Sequence, residues 1–111
     1  MTIASPSLEK REFTGEGTYY NVGLGSCGKT NDDHQYVAAL NAPQMNNGPN
    51  PNYNKLCDKR IRVTGPKGTI TVKIVDTCPP CKSGDVDLSP SSFAAIADLS
   101  AGRVPITWSW A

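Results

Sequence analysis

The sequence predicts a small, mainly-β domain in which short helices fill the connections of a closed sheet. With 111 residues, the chain has the length of one ordinary domain. Its 10 glycines and 9 prolines are spread along the chain, which predicts many turns between short segments. The segments follow in the order strand, helix, hairpin, helix, strand without an internal repeat. This order favours a closed sheet over an alternating parallel fold.

The N-terminal half begins with a polar, aperiodic stretch, and we interpret residues 1–14 as a loose leader before a domain over residues 15–111. Residues 16–22 are rich in β-forming side chains and predict the first strand. Acidic residues precede residues 34–40, where apolar side chains recur at helical spacing, so this segment predicts a short helix. Asn, Pro and Gly dominate residues 41–54, which predicts an exposed loop.

The C-terminal half contains a hairpin, a helix and a strand. Residues 60–64 and 69–75 alternate apolar and polar side chains around a Gly-Pro-Lys-Gly turn, which predicts the hairpin. Residues 89–97 offer a Ser cap with Pro at the first helical position, and residues 104–110 predict a closing strand. Trp108 and Trp110 lie two apart on this strand and share a face. We expect Trp108 in the core, whereas Trp110, at the strand end, suits either a core edge or an aromatic platform.

Charge and hydropathy exclude two classes of partner. The formal net charge is only +1, so the chain lacks the positive field with which proteins follow a phosphate backbone. No apolar run approaches the roughly 20 residues that a membrane-spanning helix needs. We therefore expect neither nucleic acid nor a membrane as a partner.

Four cysteines, Cys27, Cys57, Cys78 and Cys81, indicate two disulfides in a small domain. They allow three pairings, and the sequence alone does not choose among them. The short Cys78-Pro-Pro-Cys81 spacing favours Cys78–Cys81 and therefore Cys27–Cys57. A redox-active Cys-x-x-Cys would need a βαβ context, and a zinc site would need further ligands at metal spacing. Structural disulfides are thus the favoured interpretation, and we expect no metal or other cofactor.

Disulfides form in oxidising compartments, so we expect a secreted, extracellular protein. The N-terminus lacks the basic and apolar regions of a signal peptide. We interpret the sequence as a mature form with an added Met1.

Short motifs over roughly residues 15 to 110 follow the order found in expansin-like proteins. They are Gly17-Thr18-Tyr19-Tyr20, Cys27-Gly28, Ala38-Ala39-Leu40, Val72-x-Ile74-Val75-Asp76, Asp85-Val86-Asp87-Leu88-Ser89 with Phe93, and Val104-x-Ile106-x-Trp108. The chain most resembles the single-domain fungal loosenins of this group. The resemblance implies a six-stranded double-psi β-barrel with short connecting helices.

The resemblance also implies a substrate groove with Asp87 as an acid-like residue. The competing interpretation is that Asp87 merely caps or borders the helix that begins near Ser89. Thr18 and Tyr20 match groove positions on the first strand. Asp76 matches a groove residue that we expect to orient Thr18 or Asp87 by hydrogen bonding. Trp110 is the remaining candidate for polysaccharide binding.

An inverting glycosidase needs a second carboxylate as the base. In the related hydrolases that base follows the aromatic pair of the first strand, where this chain has Asn21-Val22-Gly23. We therefore expect no catalytic residues and no hydrolysis.

Together these features predict a monomeric protein that binds insoluble polysaccharide, such as cellulose or chitin, and loosens its packing. The alternative is a protease inhibitor of the papain-inhibitor type, which shares the barrel. In that case loops, such as residues 41–54, would meet the partner instead of the groove.

Overall fold

The structure is a computed structural model that describes residues 11–111. In this part of the chain the strands are β1 (Phe13–Tyr19), β2 (Val37–Asn41), β3 (Arg60–Gly65), β4 (Gly68–Cys78), β5 (Val86–Leu88) and β6 (Val104–Trp110). The helices are α1 (Ala42–Met45) and α2 (Pro90–Ile96), with 3-10 turns at Pro51–Tyr53 and Leu99–Ala101. Within the described residues, no helix is long and apolar enough to cross a membrane.

The strands close into a barrel in the order β1-β5-β2-β4-β3-β6, with β6 paired back to β1. The β1–β5 and β2–β4 pairs are parallel, and the other pairs are antiparallel. Every strand therefore has a partner on both sides, and the barrel leaves no open sheet edge. The predicted mainly-β fold, a closed six-stranded barrel with short connecting helices, is confirmed.

Alternating side chains of the strands fill the barrel interior. Trp108 is only 1% exposed, and its ring stacks on Phe13 with 4.5 Å between the ring centroids. Its indole Nε1 donates a hydrogen bond to the Gly84 carbonyl oxygen at 2.9 Å, so the polar end of the ring is satisfied. The predicted core position of Trp108 is confirmed.

The chain passes β1 at very short range just before it enters β5. A Cβ atom on Gly15 would overlap the Gly84 carbonyl group, and one on Gly84 would overlap the Thr14 carbonyl oxygen. Gly84 also has a φ of 94°, which residues with side chains rarely adopt. This contact therefore requires glycine at both positions, and it fixes where β5 begins.

β1 begins earlier than predicted and takes Phe13 and Thr14 from the predicted leader. Its ladder to β6 starts at Phe13 opposite Trp108, so long-range pairing sets the boundary. The strand ends at Tyr19, earlier than predicted, and the Val22 N–H donates to the Asp33 carboxylate at 2.6 Å instead of to a neighbouring strand. Residues 1–10 of the predicted leader lie outside the described residues.

The helix predicted over residues 34–40 is wrong, because β2 occupies Val37–Asn41 between β4 and β5. All of its residues are buried. A strand that is covered on both faces has a continuous run of apolar residues. Such a run also places apolar residues at helical spacing, so the sequence pattern does not distinguish the two. The preceding Asp32 accepts a hydrogen bond from the His34 N–H in a turn and does not begin a helix.

The exposed loop predicted over residues 41–54 is wrong at its start. Asn41 is fully buried and Met45 is 1% exposed, because α1 packs its end against the core. The Asn41 side chain caps α1 by accepting from the Gln44 N–H at 2.9 Å. The loop is exposed from residue 46 to residue 50, as predicted.

The remaining elements match their predictions closely. β3 and β4 form the hairpin, Ser89 caps α2 with Pro90 at its first position, and β6 closes the barrel. The three-residue β5 was not predicted as a strand, because it is too short to show a pattern. The structure confirms both disulfides, Cys27–Cys57 and Cys78–Cys81.

The two disulfides should differ in their effect on stability. Cys27–Cys57 closes a loop with a sequence separation of 30, which constrains the unfolded chain by about 3–4 kcal/mol in the entropy model. Cys78–Cys81 closes a loop with a separation of 3 and should contribute under about 2 kcal/mol. Urea unfolding of Cys27→Ser/Cys57→Ser and Cys78→Ser/Cys81→Ser should show the larger loss for the first pair. The reverse order, or alkylation of free thiols in the unreduced parent, would contradict the expectation.

Candidate functional site

Four neighbouring strands bring three of the predicted site residues, Thr18, Asp76 and Asp87, to one level of the barrel wall. Thr18 of β1 pairs with Asp87 of β5, and Ala39 of β2 pairs with both Asp87 and Asp76 of β4. A β-bulge in the β2–β4 pair places Asp76, instead of Val75, opposite Ala39. One extra residue exchanges the two faces of a strand, so the bulge brings Asp76 to the face that Asp87 occupies.

An open cleft of about 700 Å³, which we call the groove, lies beside Thr18 and Asp87. Acidic and basic side chains share it with Tyr19 and the Cys78–Cys81 disulfide loop. Its lining residues are Glu16, Thr18, Tyr19, Cys78, Pro80, Cys81, Lys82, Asp85, Asp87 and Arg103. The groove therefore offers both hydrogen-bond donors and acceptors.

Asp87 is the half-buried carboxyl of the groove. Thr18 Oγ1 donates to its Oδ1 at 2.7 Å, and it has no further hydrogen-bond donor among the described residues. Burial raises the pKa of Asp87, whereas the Thr18 hydrogen bond and the charge of Arg103 lower it. Asp87 does not cap α2, because Ser89 Oγ accepts from the Ser92 N–H. Its Oδ2 therefore remains available to a ligand.

The other two acids that line the groove have structural partners. Glu16 Oε1 forms a salt bridge with the Arg103 guanidinium at 2.7 Å. Asp85 accepts from the Glu16 N–H at 2.9 Å through Oδ1 and from the Lys82 N–H at 3.0 Å through Oδ2. These carboxylates hold β1, β5 and the Cys78–Cys81 loop together.

The hydrogen bond predicted from Asp76 to Thr18 or Asp87 is wrong. Asp76 Oδ1 instead accepts from the Ser26 N–H at 2.8 Å and from the Thr77 N–H at 2.7 Å. It acts on Asp87 only through charge, which raises the pKa of Asp87. Asp76 thus anchors the loop that contains Cys27.

The two tyrosines of β1 occupy different surroundings. Tyr19 packs its ring on Phe93 at 4.8 Å, donates to the Leu99 carbonyl oxygen at 3.2 Å, and also lines the groove. The Tyr20 hydroxyl is buried without a hydrogen-bond partner in the described residues. Burial, followed by the charges of Asp76 and Asp87, raises the Tyr20 pKa. Tyr20 therefore stands close to both predicted groove acids with an unused hydroxyl.

The structure places Trp110 apart from the other candidates. It is 37% exposed at the end of β6 and lines a separate cleft with Lys59 and Arg60. Its ring meets Trp108 edge-on at 5.5 Å. Trp110 shares no cleft with Asp87.

Sequence reasoning missed Arg103, the cation nearest to the groove acids. It follows the turn after α2. Its position beside Thr18 results from the pairing of Gly17 with Val104, which joins strands that are distant in sequence. Glu16 was detectable, because alternate residues of a strand share a face and Thr18 was already a candidate. The described residues contain no group of three or more His, Cys, Asp or Glu side chains placed to hold a metal ion.

Comparison with known proteins identifies relatives over nearly the whole chain. The double-psi β-barrel family described as lytic transglycolase matches residues 12–108. The papain inhibitor of Streptomyces mobaraensis is 38% identical over 102 residues, which cover 88% of this chain and 71% of that protein. The allergen Asp f 7 of Aspergillus fumigatus is 35% identical over 107 residues, and the match covers 91% of this chain but only 37% of the allergen.

Solved structures show the same barrel. The Streptomyces papain inhibitor superimposes with a TM-score of 0.83 at 38% identity, covering 89% of this chain and 93% of the inhibitor. A Clavibacter michiganensis expansin variant in complex with cellohexaose superimposes with a TM-score of 0.78 at 28% identity. That match covers 90% of this chain and 50% of the expansin. The barrel is therefore a double-psi β-barrel.

The raised pKa of Asp87 predicts a stability gain for Asp87→Asn at neutral pH. A raised folded-state pKa means that stability is fully present below the ordinary value of 3.8 and is lost as pH rises through the folded-state pKa. The substitution removes the half-buried charge and keeps an acceptor for Thr18. Urea unfolding should show the variant to be more stable than the parent at pH 7, with the difference closing below about pH 4.

Asp98→Asn is the matched control, because the Lys67 hydrogen bond and charge lower the pKa of Asp98. This variant should show the opposite sign and lose stability at pH 7. A less stable Asp87→Asn at pH 7 would mean that the ionised carboxylate stabilises the fold.

Proposed function

The chain belongs to the double-psi β-barrel family described as lytic transglycolase, and from this membership we propose that it is an expansin-like protein that loosens cell-wall polysaccharide without cleaving it. The main observation in support is the state of Asp87. Its Oδ2 has no hydrogen-bond partner among residues 11–111 and lies in a polar groove, beside the Thr18 hydroxyl. Such a groove suits a ligand rich in hydroxyl groups.

The ligand proposed for this groove is a neutral β-linked glucan of the cellulose type. The expansin neighbour was solved with cellohexaose, a glucose oligomer, and its barrel superimposes on this one. In the groove, Asp87 accepts from sugar hydroxyls, and Lys82 and Arg103 donate to them. Tyr19 adds ring surface for a pyranose.

Loosening without bond cleavage draws only on binding free energy. Contacts with a displaced glycan chain must offset those that the chain loses in the fibre. Each hydrogen bond contributes on the order of 1 kcal/mol, so the affinity is weak and distributed over several groups.

The proposed lack of hydrolysis rests on how the other acids are used. An inverting mechanism needs a general base whose carboxyl lies about 6.5–9.5 Å from the acid. Asp76 does not line the groove, stands two strands from Asp87, roughly 10 Å away by strand spacing, and accepts two backbone hydrogen bonds through Oδ1. Glu16 and Asp85 are engaged as well. The groove therefore offers an acid without a matching base.

The disulfides favour action outside the cell, where disulfide bonds form and persist. We propose a secreted protein that works as a monomer on cellulose, with chitin as the second substrate to test.

Removing the Tyr20 hydroxyl and removing the Asp87 carboxyl should have different effects on binding. Because the Tyr20 hydroxyl has no partner among residues 11–111, Tyr20→Phe should unfold at a temperature equal to or above that of the parent. Its binding to insoluble cellulose should stay close to that of the parent, because the hydroxyl is buried and Tyr20 does not line the groove. Asp87→Ala should lose most binding and fibre loosening with an unchanged circular dichroism spectrum. Depletion from cellulose suspensions and fibre creep measure both effects.

Release of soluble sugar is measured in the same suspensions and in peptidoglycan, since the family description names a lytic class. No release above a protein-free blank is expected. Sustained release that disappears in Asp87→Asn would show that the protein cleaves glycans. Unchanged cellulose binding in Asp87→Ala would place the glycan elsewhere on the barrel.

A second candidate function is inhibition of a papain-like protease, which the papain inhibitor relative supports. Tyr53 is 85% exposed and Leu24 is 74% exposed. They lie on two loops that the Cys27–Cys57 disulfide joins and the Lys29–Asp58 salt bridge reinforces at 3.1 Å. Prearranged apolar side chains on rigid loops are what a protease-binding surface needs.

Titration into papain tests this function with variants on the two surfaces. If the loops inhibit, Tyr53→Ser should weaken inhibition at least tenfold, whereas Asp87→Ala should inhibit like the parent. No inhibition by the parent at micromolar concentration would remove this candidate.

A further inference from the structure

The net charge of +1 hides an uneven distribution of charged side chains over the barrel. Glu16, Asp85 and Asp87 lie in the groove. On the far side, Arg60 and Arg62 point outward from β3, and Lys73 of β4 lies directly opposite Arg60. None of these three cations forms a salt bridge within residues 11–111. Like charges opposite each other in an antiparallel pair repel, so this arrangement favours an external anion.

A cleft of about 550 Å³ opens beside these cations at the end of β6. It is lined by Leu56, Asp58, Lys59, Arg60, Trp110 and Ala111. The Ala111 N–H donates to the Arg60 carbonyl oxygen at 3.0 Å, and Ile61 pairs with Trp110, so the backbone holds the end of β6 against the start of β3, where Trp110 and Arg60 line the same cleft. Asp58, the acid of this cleft, pairs with Lys29 at 3.1 Å and does not neutralise Arg60.

We propose that this cleft is a second carbohydrate site, which binds an acidic polysaccharide that bears uronate groups. Trp110 stacks on the face of a sugar ring, and Arg60, with Lys59 beside it, pairs with the sugar carboxylate. Arg62 lies two residues along the same face, roughly 7 Å further, where it meets the carboxylate of another sugar in the chain. The basic side chains thus follow a line, as a linear polyanion requires.

This site is distinct from the groove. The two clefts share no lining residue. Because Gly17 pairs with Val104, Trp110 lies roughly 23 Å along β6 from the level of Thr18, at about 3.3 Å per residue. Only the choice of a glycan over other polyanions rests on the proposed function.

Binding of an unesterified galacturonate oligomer, followed by calorimetry and by tryptophan fluorescence, tests the proposal. The parent should bind it at low salt, lose affinity as salt increases, and fail to bind the methyl-esterified oligomer, which keeps the sugar ring and lacks the charge. Arg60→Gln should weaken binding at least fivefold. Lys67→Gln, which removes the same charge from the exposed Lys67–Asp98 pair, should change it less than twofold. Trp110→Ala should abolish the fluorescence response. If Trp110→Ala folds poorly, Arg60→Gln still tests the site, because the Arg60 side chain is exposed.

Two comparisons separate this proposal from the proposed function. Arg60→Gln should bind cellulose like the parent, and Asp87→Ala should bind the galacturonate oligomer like the parent. Equal binding of the esterified oligomer, or an equal loss in Lys67→Gln, would overturn the site. Tighter binding of a single-stranded oligonucleotide with the same number of charges would overturn the choice of a uronate ligand.

Discussion

The close approach of Gly15 and Gly84 is the contact on which the barrel and its groove both depend. A side chain at either position would overlap backbone of the other segment, so the chain enters β5 along one path. The Trp108 indole and the Gln44 amide oxygen hold the Gly84 peptide from two sides, and the buried Asn41 side chain donates to the Asp85 carbonyl oxygen. With this segment fixed, three residues suffice for β5 to bridge β1 and β2. Asp87 then lies opposite Thr18 because the register permits no other partner.

The groove contains three carboxyl groups, but they differ in how far protein partners engage them. Asp85 uses both carboxylate oxygens, and Glu16 pairs one with Arg103, to join strands and loops, whereas Asp76 lies outside the groove and anchors the loop of Ser26. A carboxylate that is engaged in this way holds its position well and serves poorly as a proton acceptor for water. Asp87 differs because a single hydroxyl contacts it and burial opposes its charge. The same residue types therefore divide into structural and ligand-facing groups according to their backbone neighbours.

The local sequence pattern predicted those elements that are stabilised by residues nearby in the sequence. The β3–β4 hairpin has an alternating pattern and a Gly-Pro turn, and α2 has its Ser89 cap, so both followed from the residues alone. β2 and β5 could not be recognised in this way, because both are covered by strands distant in sequence. The bulge that turns Asp76 outward, and the turn that brings Arg103 to Glu16, likewise exist only in the closed barrel. Asp87, Thr18 and Asp76 were found through the resemblance to expansin-like proteins, whereas their hydrogen bonds required the structure.

The two sides of the barrel suit a composite material better than a single polymer. A plant-type wall contains neutral glucan chains and acidic chains in one network, and a small protein that binds only one of them remains where that polymer is exposed. In the groove, three acids outnumber two cations, which favours neutral hydroxyls over uronates, while the β3 cations gain more from a uronate than from neutral glucan. Under the two proposals, the different charge balance of the two faces assigns each polymer to its own surface. With roughly 23 Å along β6 between the level of Thr18 and Trp110, the two proposed sites leave room for a glucan and an acidic chain at once, and simultaneous weak contacts would raise the overall affinity without strengthening either site.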